Sequence, residues 1–238
     1  MMRAWLSGDR RDLQELAELL SAGDTRVVMD DGDYYLTSED IDHPLDKVPF
    51  SQAAARLLLR VNGLARAANA DFRPVALAGR YDRGDASETI LVVEDSIDAR
   101  DYASPIVASA PDDAVPPSSV RPSAHSQLGA LIVAHPEVGE ALGLMGHQYP
   151  LGWAEMYKVY EIVRVSVLPR TIESLGWASK VEISSFTASA NHPDVSGENA
   201  RHARWPSAPP RRTMTVESSR QFIGMIVTSW LAYLRAQT

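Results

Sequence analysis

Residues 104–123, SPIVASAPDDAVPPSSVRPS, constrain this chain more than any other stretch, because they suit neither a helix interior nor a central strand. Five prolines in twenty positions remove backbone donors and fix φ, and almost no apolar periodicity runs between them. The segment reads as a linker or an extended surface connection, and the chain's character differs on its two sides. The expected organisation is an N-terminal unit over 1–108, a Pro-rich linker over 109–123 and a C-terminal unit over 124–238.

The N-terminal unit mixes both periodicities. Leu13, Leu16, Ala17 and Leu20 recur at helical spacing in GDRRDLQELAELLSAGD, with Gly23 suited to a helical stop. TRVVMDDGDYYLT then reads as two short strands around Asp31-Gly32, the residue pair a type I′ hairpin turn prefers. Its acids lack the spacing of an EF-hand loop, so the turn is preferred over a calcium site. From Phe50 to Asn69 a helical stripe runs through Ala54, Leu57, Leu58, Val61, Leu64 and Ala65. It crosses Asn62-Gly63 unbroken, so Gly63 is expected to let a neighbour approach closely. RPVALAGRYDR and ETILVVEDSI are strand-like.

After the linker no convincing strand remains. SQLGALIVAHPEVGEALGLM predicts two short helices split at Pro136, and GWAEMYKVYEIVRVSVL one helix with Trp153, Met156, Tyr157, Tyr160, Val163, Arg164 and Val167 on a face. SKVEISSFTASAN opens with a capping box from Ser179 to Glu182 and is expected to bury Ile183 and Phe186. A last helix from about Val216 presents Phe222, Ile223, Ile226, Val227, Trp230, Leu231 and Leu234. The fold class is therefore α+β: a small unit with antiparallel strands followed by a helical bundle.

Composition excludes several chemistries. With no cysteine there is no disulfide, thiolate nucleophile or Cys-ligated zinc, which suits a cytoplasmic protein. The first residues meet charge too soon for a signal peptide, and no stretch approaches the roughly 18 apolar residues a membrane span needs. Phosphate-loop, dinucleotide, zincin and nucleophile-elbow motifs are absent, and no cofactor is expected. A net charge of −8 argues against broad nonspecific attraction to nucleic acid but not against a local cationic site.

Such a cluster stands at 191–212, NHPDVSGENARHARWPSAPPRR, which holds four arginines and two histidines against two acids. Imidazole exchanges a proton near neutral pH, while guanidinium stays charged and grips phosphate bidentately. The pairing suits metal-independent RNA cleavage, with Arg201, His202 and His192 as candidate catalytic residues. Asn191, Arg204, Arg211 and Arg212 are candidate binding residues, and Trp205 is a candidate stacking surface for a base. A structural reading stands beside this one, with the arginines pairing to acids elsewhere and His192 capping a helix. His192, Asp194, Glu198 and His202 match no usual ligand spacing, so no metal site is expected. Tyr157 and Tyr160 are read as packing residues, and Glu161 as a partner for Arg201. His43, His125, His135 and His147 stand alone and receive no role.

WAEMYKVYEIVR, GWASKVEISSFTASANHPDVSGENARHA and PPRRTMTVESSRQFIGMIVTSWL together resemble a family of bacterial and prophage proteins sharing a YKVYE helix and an AN…G…ARH segment. The likeness covers about 150–235 and, more loosely, LLLRVNGLARAAN. More distantly, the helical half is similar to HEPN domains, which are helical, often dimeric, and in many cases RNases of defence systems. That resemblance implies RNA as partner and a homodimer through the helical unit; with no long apolar stretch, no membrane partner is expected. Catalytic HEPN motifs separate Arg from His by four to six residues. Here Arg201 and His202 are adjacent, and Arg121 precedes His125 by a gap of only three, so the likeness implies fold more than activity. Two functions follow: RNA binding or cleavage through the 191–212 segment, or a non-enzymatic interaction or sensor protein in which that segment is structural.

Overall fold

A computed structural model describes residues 1–44, 48–84, 88–91, 128–197, 200 and 211–237. Five antiparallel strands form one sheet: β1 (Met2–Ser7), β2 (Thr25–Asp30), β3 (Asp33–Ser38), β4 (Ala76–Arg83) and β5 (Glu88–Leu91), in the order β2-β3-β1-β4-β5. The β2–β3 hairpin turns at Asp31 and Gly32, with φ of 50° and 87°, as that residue pair predicts. Helix α1 (Arg10–Leu19) starts at Asp9, whose carboxylate accepts the Arg11 amide, and ends before Gly23.

The central strand, β1, is an element that local sequence pattern did not reveal. Met2, Ala4 and Leu6 turn to the core, while Arg3 and Trp5 turn to the opposite face. On that face the Trp5 indole donates to Asp82 at 2.6 Å, with the Arg80 guanidinium 4.3 Å from the Trp5 ring. Burial alone would raise the Asp82 carboxyl, but hydrogen bonds from Thr89, Trp5 and Arg80 outweigh it and hold the group below its ordinary range.

A short helix, α2 (Glu39–Asp42), leads towards α3 (Phe50–Ala68), the long helix packed on the core side of the sheet. Asn62 on α3 is buried and bonds both backbone groups of Val75: its amide donates to the carbonyl at 2.9 Å, and its oxygen accepts the N–H at 3.1 Å. The neighbouring Gly63 lies against the backbone of the next layer, since a Cβ there would stand 1.9 Å from the Leu142 carbonyl oxygen. The close approach expected at this glycine is therefore present.

The remaining described residues contain helices and no strand. They form α4 (Leu128–Ala134), α5 (Pro136–Met145), α6 (Trp153–Ser166), α7 (Lys180–Asn191), the single turn α8 (Pro193–Ser196) and α9 (Val216–Arg235). Pro136 ends one helix and starts the next, with a bend of 119° between α4 and α5. The Ser179–Glu182 capping box is formed. Phe186 is fully buried among Trp153, Tyr157, Tyr160 and Phe222, whereas Ile183 is only half-buried and Arg164 is exposed rather than facing the core. Helix α3 packs against both α5 and α9, so most of the described buried apolar residues form one cluster reaching from Leu36 in the sheet to Trp230 in α9. Among the described residues, no single helix is long and apolar enough to cross a membrane.

Candidate functional site

The 191–212 connection is described at both ends. Arg201, His202, Arg204 and Trp205 lie outside the described residues, as does Glu198. The two ends meet on α7. Ser189 is fully buried; its hydroxyl accepts the Met214 amide at 2.9 Å, and its carbonyl accepts the Ser196 hydroxyl. One serine thus latches the start of the connection to its finish.

His192 ends α7 and begins α8. Its side chain is buried, and its Nδ1 accepts the Asp194 amide at 3.2 Å, with the Asp194 carboxylate 3.8 Å away. A ring nitrogen committed to a helix cap is not free to take a substrate proton, so this geometry matches the capping role. Asn191 is half-buried, and its Oδ1 is buried without a hydrogen-bond partner among the described residues. Arg211 and Arg212 are exposed, and neither forms an ion pair with a described residue. Burial pushes the Tyr160 hydroxyl pKa upward, in keeping with packing. Among the described residues, no group of three or more His, Cys, Asp or Glu side chains is placed to hold a metal ion.

A second cationic site was not anticipated. Arg66, in the last turn of α3, and Arg220, in the second turn of α9, line one cleft of about 970 Å³ with Phe72, Gln148 and Leu151. Arg66 is only 9% exposed. Its Nη1 donates to the carbonyls of Met145, His147 and Tyr149 at 2.9, 2.8 and 3.2 Å, tying the α5–α6 loop to α3. Arg220 donates through Nε to the Leu151 carbonyl at 2.9 Å. Burial, and then the charge of Arg220, lower the Arg66 pKa to about 10. Arg73, also in the lining, is already matched by Asp9 and Asp12 at 3.6 Å each.

Sequence reading missed the pair because an arginine in the final turn of a helix is ordinary, favoured there by the helix dipole. The available signal was local: Arg66 sits between Ala65 and Ala67 on a stretch that is apolar or small all round. Nothing local links it to Arg220. Comparisons of the chain with protein families, with curated proteins and with solved structures find no match.

Proposed function

We propose that this protein binds RNA through phosphate contacts from the Arg/His-rich connection between α7 and α9. The observation that carries the reading is the Ser189 latch, which gathers both ends of the connection while leaving Arg211 and Arg212 exposed and unmatched by a described acid. A cation held on a pinned loop loses less conformational freedom on binding than one on a free chain. The reading agrees with the resemblance of the helical half to HEPN domains. Within it, Arg201, Arg204 and Trp205 extend the phosphate and base contacts. For His192 itself, a role in proton transfer through Nδ1 is disfavoured, because the side chain is buried and that nitrogen accepts a backbone N–H. That same commitment supports the alternative, an interaction or sensor protein in which the connection only closes the bundle.

Anisotropy titrations of a single-stranded RNA across a salt series separate the two. Affinity should fall steeply with salt, and the Arg211→Ala/Arg212→Ala double variant should bind more weakly. Its log–log slope should be shallower by roughly 0.7 for each phosphate no longer neutralised. An unchanged slope in a folded double variant, or no binding at low salt, rejects the RNA reading. Incubation of the RNA with the protein in EDTA, beside Arg201→Ala and His202→Ala, tests cleavage; activity lost in both folded variants would make the protein a metal-independent RNase. Light scattering on the same preparation tests the homodimer expected through the helical unit.

A further inference from the structure

The cleft between α3 and α9 concentrates positive charge without answering it. Arg66 spends Nη1 on carbonyls and Arg220 spends Nε likewise, but Nη2 of Arg66 and both Nη groups of Arg220 make no hydrogen bond to a described residue. Neither guanidinium forms an ion pair with a described carboxylate. Asp71, the acid among the described lining residues, bonds through its amide to Asn69 and pairs with neither arginine. Holding two like charges together, one of them nine-tenths buried, costs stability unless a counter-charge is supplied. Carbonyl dipoles soften that cost but cannot neutralise it. Burial first, and then the charge of Arg220, disfavour the charged form of Arg66.

The free donors have a definite chemistry. Guanidinium N–H groups in a planar fork match the oxygens of a tetrahedral anion, and two cations match a dianion better than a single carboxylate. The rest of the lining suits more than a bare ion, since Phe72, Pro74, Met145, Pro150 and Leu151 supply an apolar wall. A volume of about 970 Å³ lies within the range of pockets that hold small molecules. We propose that this cleft is a binding site for a phosphate dianion, free or as the head of a phosphomonoester, whose oxygens accept from Arg66 Nη2 and from the Nη groups of Arg220. This site does not depend on the RNA reading, whose contacts lie in the 191–212 connection.

Arg66 anchors the α5–α6 loop, so its removal would confuse binding with folding; Arg220→Gln is the better variant. Thermal unfolding and calorimetric titration are run at pH 7.5 and matched ionic strength with inorganic phosphate, adenosine monophosphate, adenosine or sodium chloride. The wild type should be stabilised by phosphate or the monophosphate but not by adenosine or chloride. Arg220→Gln should bind at least about tenfold more weakly; each variant's stabilisation is measured from its own melting temperature without phosphate, because the substitution also removes the Leu151 hydrogen bond. Tighter binding of the monophosphate identifies an ester as ligand; equal binding identifies the free ion. Absence of stabilisation by both, or equal stabilisation of the wild type and Arg220→Gln, overturns the proposal.

Discussion

Asn62 shows how much one polar side chain can do in this core. Its amide meets both backbone groups of Val75 just before β4, so a helix side chain stands in for a strand neighbour. Replacement by Ala would leave a buried Val75 N–H without its partner, while the Val75 carbonyl keeps the amide of Gln148 at 2.9 Å. An Asn62→Ala variant should therefore lose about 2 kcal/mol of stability in urea denaturation, at the scale of one orphaned buried donor plus a missing hydrogen bond. A loss under about 0.5 kcal/mol would show that water replaces the amide. The position was legible only as part of an Asn-Gly pair; that its polarity is satisfied by a residue near the next strand was not. His192 teaches the converse. Its type suggested chemistry, and its burial and capping bond fit the alternative reading of a helix cap.

Among the elements, α3 was readable from its stripe because a helix that packs on several sides carries a strong 3.6-residue signal. Its glycine carries the test. Intrinsic propensity alone makes Gly63→Ala favourable by about 1 kcal/mol in a helix interior. The added Cβ would instead stand 1.9 Å from a backbone oxygen of α5, which cannot move without shifting that helix. Gly63→Ala should thus destabilise, by about 3 kcal/mol or more on chemical denaturation, and a stabilised variant would refute the close α3–α5 approach. β1 was not readable in the same way. Six residues containing Ala, Trp and Arg give a weak alternation, and the strand acquires meaning only from pairing with β3 on one side and β4 on the other. The capping box at Ser179 and Glu182 was legible because both partners lie within one turn.

At the scale of the molecule, most of the described buried apolar side chains form one cluster, and α3 joins the sheet to α5 and α9. Unfolding should then be a single transition, with tryptophan fluorescence and far-ultraviolet circular dichroism giving coincident curves in urea. Two separated transitions would mean that the strand-bearing and helical parts hold together independently. By itself, the sequence determined what depends on near neighbours: the helical stripes, the Asp31-Gly32 turn, the capping box, the break at Pro136 and the α+β class. Periodicity, turn conformation and capping all act within a few residues, so their signals survive in one dimension. Only the tertiary structure decided which strand is central, which histidine is spent on a cap, and that Arg66 and Arg220 share a cleft. Those outcomes depend on burial and on the proximity of residues distant along the chain, and no local pattern encodes either.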